Sequence, residues 1–383
     1  MATAYYFKTI NSKSAFQKQY KAKHPGLLFS KLKHKSASKW GREELFACRV
    51  LIKMEKPKER TIDHRKEMED FLAGPTDPEE HLGWSEHALV GQYGHSLGQL
   101  WAALAMFQGP LSRSAGGEGT VGGQGPASSL PIKGHSKSTR ARPQTQHPGF
   151  VNSTTMKVDS SSSGSSESGS RSSLAYVDEP SHALAAQNED GTLHFIRCAL
   201  RHVIHHSSPS SPKVVEVRDV KLGLKAIVQT RNGGVPAKRV LVAVDDGGLC
   251  LRQNKEGVWV NVAKRVLMLE AKNRFQYFDD GKPTISDDCL AQMTCQALAA
   301  KLCDKSLEDR SVTILHAAQQ YACFLKFDIS SKYFQQLLLE EEIAFEEWEF
   351  VQVSSTPWYD LGTKQGRLHF AYFISLTIDL AII

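Results

Sequence analysis

No long apolar run occurs in this sequence. None reaches about 18 residues, the length at which a helix crosses a bilayer. The nearest approach, Leu368 to Ile383, is broken by Asp379, so a helical membrane span is not expected. The first residues, Met-Ala-Thr-Ala-Tyr-Tyr-Phe-Lys, carry no apolar signal core, which argues against a secretory leader. Cysteine is sparse: Cys48, Cys198, Cys250, Cys289, Cys295, Cys303 and Cys323 are odd in number, form no CxxC pair and sit mostly among apolar neighbours. That pattern excludes a disulfide scaffold and points to reduced thiols in an intracellular protein. A glycine-rich phosphate loop, a GxSxG turn and kinase-type motifs are absent too, which removes P-loop, serine-hydrolase and kinase chemistry. The closing Ile-Asp-Leu-Ala-Ile-Ile reads as an altered or truncated end.

What is present suits a globular chain. Its 383 residues, 41% hydrophobic and 23% charged, are enough for two ordinary domains and at least one real core. The net charge of +6 is unevenly placed. Residues 1–60 hold fifteen Lys/Arg against four Asp/Glu, an excess of eleven, so the remainder is slightly acidic. A basic end of this kind suits nucleic acid, anionic surfaces or nuclear import. The expected location is therefore intracellular, in cytoplasm or nucleus.

Three parts follow from patterning. Residues 1–107 form a basic, mostly helical N-terminal region, with helices expected from Trp40 to Met54 and from His87 to Phe107. Residues 108–178 are a Gly/Ser-rich disordered linker. Gly116-Gly117, Gly122-Gly123 and the Ser160–Ser173 tract cannot bury enough apolar surface to offset chain entropy. The linker includes a loose basic patch (Lys133, Lys137, Arg140, Arg142) and a serine tract that phosphorylation could modify. In residues 179–383, helices are expected at Leu193–His206, Cys289–Leu302 and Lys332–Glu341, and from Gly366 onward. Strands are expected at 214–217, 223–229, 240–244, 258–272, 312–327 (as a hairpin) and 350–353. Helices interleaved with strands imply an α/β layer.

The chemistry concentrates at Val266-Leu267-Met268-Leu269-Glu270-Ala271-Lys272. Four apolar residues in a row read as a strand buried on both faces. Alternation along the strand puts Glu270 and Lys272 on one face. Opposite charges there are costly unless they bind each other, a metal or a substrate, although a strand end meeting water has the same pattern. In the following helix Gln292 and Gln296 are four apart and share a face. Asp245 and Asp246 end the apolar strand 240–244, with Asp219 as a fallback acid; Asp-Asp-Gly-Gly is also a good hairpin turn. His194, Cys198, His202, His205 and His206 have some zinc-like spacing but no second ligand pair, and a solvent-facing helix explains them better. Tyr5-Tyr6-Phe7 beside lysines suits base stacking or simple packing.

An aspartate, then Glu270-x-Lys272 on a strand, then a helix carrying Gln292 and Gln296 resembles the PD-(D/E)XK nuclease superfamily, the restriction-endonuclease-like fold. The later segments Val312–Tyr321, Phe327-Asp328-Ile329, Trp358-Tyr359-Asp360-Leu361 and Gly366-Arg367 resemble those of a group of uncharacterised fungal proteins with this domain. The resemblance covers about half the chain and departs from the family pattern in lacking a proline before the aspartate. It implies a mixed sheet flanked by helices, with Mg²⁺ or Mn²⁺ held by Glu270 and by Asp245 or Asp246. Lys272 would orient the attacking water, and Gln292 and Gln296 would touch the carboxylate or phosphate. The implied activity is metal-dependent hydrolysis of nucleic-acid phosphodiesters. The alternative is a catalytically silent nuclease fold acting as a binding or regulatory module.

Overall fold

The computed structural model describes residues 5–55, 66–75, 83–108, 188–207, 211–232, 235–279, 282–339 and 343–382. The expected linker falls outside them except for Gln108, and so do its basic patch and serine tract.

The hydrophobic run expected to be doubly buried organises everything else. It lies in strand β6, Val258–Lys272, near the middle of a mixed sheet. Along it Met268 faces one core, while Leu267, Leu269 and Ala271 face the other. The sheet runs in the order β1 (Val50–Met54), β11 (Val351–Ser355), β10 (Tyr321–Asp328), β9 (Val312–Ala318), β6, β5 (Gly248–Lys255) and β2 (Lys213–Arg218); β12, Tyr359–Asp360, pairs with β10. The β6–β9 and β1–β11 pairs are parallel, and the other pairs are antiparallel.

Helices cover both faces, as a sheet with two apolar faces requires. On one side pack α1 (Tyr6–Thr9), α2 (Lys13–Lys23), α3 (Arg42–Ala47), α7 (Asp287–Cys303) and α8 (Ser331–Leu338). On the other pack α4 (Lys66–Ala73), α5 (Glu86–Gln108), α6 (Glu189–Ser207) and α9 (Lys364–Ile382). Helix α7 is buried along most of its length because it is also covered on its outer side. A separate two-stranded ribbon, β3 (Leu222–Asn232) with β4 (Val235–Asp245), lays Leu224, Ala226, Val228, Leu241 and Ala243 onto the core containing α7. A short hairpin, β7 (Tyr277–Asp279) with β8 (Lys282–Thr284), leads into α7.

Three local differences from expectation have physical reasons. The helix expected from Trp40 to Met54 stops at Ala47, and Val50–Met54 is a strand. Its apolar residues pair with β11, and the non-local ladder overrides local helical spacing. This strand places the N-terminal region and the C-terminal half in one compact unit. Gly94 breaks the helical dihedrals inside α5. Finally, Asp245-Asp246-Gly247-Gly248 does not close a β4–β5 hairpin: β4 belongs to the ribbon and β5 to the main sheet.

Among the described residues no helix is long and apolar enough to cross a membrane. The seven cysteines all lie among them; none forms a disulfide, and all but Cys303 are buried.

Candidate functional site

Glu270 sits near the C-terminal end of β6 on the face toward α7 and is 1% exposed. Burial that deep leaves a carboxylate only what the protein supplies. Lys272 donates to its Oε1 at 2.5 Å, Gln292 donates to the same oxygen at 2.7 Å, and Gln296 donates to Oε2 at 2.5 Å. Both glutamines therefore converge on Glu270, as their four-residue spacing on α7 allows. Gln296 also donates to the Val244 carbonyl at 2.9 Å, tying the ribbon to the same group.

The two aspartates have separate surroundings. Asp245 is wholly buried, and Arg218 grips it with two bonds of 2.9 Å while Arg265 stands 3.6 Å away. Backbone N–H groups of Leu222 and Gly247 complete its shell. Asp246 lies beside β6: its N–H donates to the Leu269 carbonyl, its Oδ2 accepts the Ala271 N–H at 3.1 Å, and its Oδ1 pairs with Lys221 at 2.8 Å. Close passage of the backbone is possible because of the next two residues. A Cβ on Gly248 would lie 2.1 Å from the Leu267 carbonyl oxygen, and both Gly247 and Gly248 have positive φ. Asp219 pairs with Arg197 and Arg201.

Electrostatics set Glu270 apart. Burial pushes it up to about 7; Lys272 opposes that rise and the Asp246 charge adds to it. Burial disfavours the Lys272 charge, but the Glu270 carboxylate outweighs this and holds its pKa above the ordinary value. Glu189, in the first turn of α6, lies 4.0 Å from the Lys272 ammonium and is also raised by burial.

Behind the carboxylate, His316 on β9 is bonded through Nδ1 to the Glu270 carbonyl at 3.0 Å. A carbonyl only accepts, so Nδ1 carries the proton and Nε2 faces the Cys289 sulfur, 3.4 Å away, as an acceptor. Burial lowers His316 to about 4 and raises the Cys289 thiol. This pair is neutral and unsuited to nucleophilic attack.

Above Glu270 opens a cleft of about 580 Å³, lined in part by Glu189, Lys272, Asn273, Gln276 and Gln292. Glu189, Lys221 and His316 had no sequence motif to mark them. Their only signal is position: an acid in a helix first turn, a lysine before a strand, a histidine in an apolar strand.

The other candidate residues lie elsewhere. His202 is buried rather than solvent-facing, with Nδ1 3.0 Å from Ser96 Oγ and its ring against Phe71. Cys198 Sγ lies 3.9 Å from His194 Nε2. Among the described residues no group of three or more His, Cys, Asp or Glu side chains gathers as a ready metal cage. Tyr6 is fully buried, its hydroxyl donating to the Val50 carbonyl at 2.6 Å. In comparisons with known proteins, no family profile matches the chain and no curated protein matches it.

Proposed function

We propose that this cleft hydrolyses phosphodiesters of nucleic acid with a divalent cation, in the manner of the PD-(D/E)XK nucleases, and that Asp246 is the first acid. The observation that carries the reading is that Lys272 and Gln292, which line one polar cleft, both donate to the Glu270 carboxylate, while Asp246 accepts the N–H of the next residue, Ala271. The order of elements is compatible with it. Helix α6, the antiparallel strands β2, β5 and β6, helix α7 and the parallel strand β9 place Asp246 just before β5 and Glu270 on the neighbouring β6.

The donors suit Mg²⁺ or Mn²⁺ in kind. Asp246 and Glu270 offer hard carboxylate oxygens, and Mg²⁺ needs only one or two carboxylates because it keeps several waters. Mutual repulsion of the two carboxylates contributes to the raised Glu270, and a bound cation would relieve it. When bound, the ion would polarise the phosphoryl oxygen and acidify a water. The chain's own groups do the rest. Gln292 and Gln296 fix the Glu270 carboxylate, leaving it one orientation. Lys272 presents an ammonium to the attacking water and to charge building on the phosphate. Asp245 with Arg218 and Arg265 anchors the turn that aims Asp246.

The test is cleavage of fluorescent single- and double-stranded oligonucleotides by the full chain across a Mg²⁺ or Mn²⁺ titration. Glu270→Ala and Lys272→Ala should each lower the rate by about a hundredfold or more, the scale of removing one positioned charge from a transition state. Calorimetry supplies a readout independent of activity. Cation binding near neutral pH should release protons from Glu270, because a bound metal requires the deprotonated carboxylate.

One observation favours a second reading, a silent nuclease fold serving as a binding module. Both Glu270 oxygens and both Asp246 oxygens already have partners within the protein. Absence of cation-binding heat together with absence of cleavage, in folded protein, would select it.

A further inference from the structure

An aromatic pair adjoins a cleft residue in sequence. Tyr277, the first residue of β7, follows the cleft residue Gln276 and is 42% exposed. Tyr5 packs against it, with ring centroids 5.0 Å apart and planes at 48°. Its neighbour Tyr6 donates its N–H to Asp287 at 2.8 Å, and Asp287 adjoins Asp288 of the cleft wall. The ring pair thus joins two segments far apart in sequence, each tied to residues next to the cleft wall.

The chain before Tyr277 is firmly held. Phe275, two residues before Tyr277, is buried against Tyr321 and Trp358, with ring centroids 5.0 and 4.7 Å away. Ser286, the N-cap of α7, donates to the Gln276 carboxamide at 2.8 Å. Tyr277 keeps 42% of its surface exposed, room for a flat apolar partner.

The cleft wall says which partner. Asn188, Asn273, Gln276 and Gln292 all border it. A carboxamide both donates and accepts, so this lining matches the mixed edge of a nucleobase better than a bare phosphate. The volume, about 580 Å³, falls in the range of sites for one small ligand. It suits one nucleotide of a strand. In a duplex the bases are stacked on each other and closed to an external ring.

We propose that Tyr5 and Tyr277 form a stacking platform for an unpaired base, so that the cleft takes single-stranded nucleic acid or a frayed strand end. The base lies on the tyrosine pair, and the adjoining phosphate runs toward Lys272. This rests on the phosphodiesterase reading only in taking the cleft as a nucleic-acid site, and it adds the strandedness of the substrate.

The test uses the full chain, with EDTA present to prevent cleavage. Fluorescence anisotropy measures binding of labelled oligothymidylate and of a mixed-sequence duplex to the wild type, Tyr5→Ala, Tyr277→Ala and Tyr277→Trp. Single strands should bind more tightly than duplex. Tyr277→Ala should weaken single-strand binding about tenfold, the effect of losing one stacked base, and Tyr277→Trp should retain it. The salt slope should stay at its wild-type value in Tyr277→Ala, because no phosphate contact is lost.

Preferential duplex binding, absence of binding, or Tyr277→Ala binding like the wild type would overturn the platform. Cleavage measured in parallel separates the two readings. Metal-dependent cutting with binding indifferent to Tyr277 removes the platform and keeps the phosphodiesterase. Single-strand binding that depends on Tyr277, without cutting, does the reverse. Circular dichroism confirms folding of each variant, and the retained Tyr277→Trp keeps the comparison decisive.

Discussion

Glu270 is the residue whose environment asks most of the fold. The carboxyl is raised from an ordinary 4.5 to about 7, chiefly by burial. A group with a raised folded-state pKa holds its proton more tightly when folded than when unfolded. Its stabilising contribution is therefore complete below about 4.5 and is lost as pH rises through about 7. Wild-type stability should decline across that interval by an amount on the order of 3 kcal/mol. Glu270→Gln should flatten the decline, which urea melts at stepped pH would read directly; an equal slope in the variant would disprove the assignment. Asp245 is deeper still; two arginines and two backbone N–H groups surround it, and it serves the turn rather than the cleft. Two adjacent aspartates thus divide into one that holds the backbone and one that faces the cleft strand.

The connection from ribbon to sheet decides whether the acids meet. Gly248 has φ of 140° and no room for a Cβ. Gly248→Ala should force β5 away from β6, at a cost of at least about 1–3 kcal/mol for the strained backbone. It should also separate Asp246 from Glu270. Thermal melts and the cation-binding heat would register the two effects independently; a melting point equal to that of the wild type would show that the turn tolerates a side chain.

Legibility in the sequence follows the same line between local and non-local causes. β6, the β9–β10 hairpin, α6 and α7 were readable because apolar period and turn residues agree over many positions. β5 is absent from the expected strands because Cys250, Arg252 and Asn254 give no clear alternation. β1 looked helical because its strand character comes from Val351–Ser355, a partner that no local window contains. In the site, Glu270, Lys272, Gln292 and Gln296 were legible from spacing within single elements. Glu189, Lys221 and His316 were not, since each is one residue on its own element, brought in by tertiary packing.

At the scale of the whole molecule, charge and chain order matter most. The basic excess of residues 1–60 includes Lys33 and Lys39, both exposed on the segment that brings Ser38 to the cleft wall. If they contact phosphates, replacing both by Gln should shallow the logarithmic salt dependence of single-strand binding by about 0.7 per lysine. Anisotropy titrations at several salt concentrations would measure it, and an unchanged slope would place the backbone track elsewhere. Chain order has a different consequence. Among the described residues β1 lies at one end of the sheet and pairs with β11 alone, Val50 opposite Val351. On a ribosome adding roughly 5–20 residues per second, β1 would wait roughly 15–60 s for that partner to be made. Throughout that wait Val50, Leu51 and Ile52, all buried in the finished fold, lack their sheet neighbour. The nascent chain therefore passes through a long interval of exposure, and its yield in a cell would depend on holdase chaperones that bind its first sixty residues.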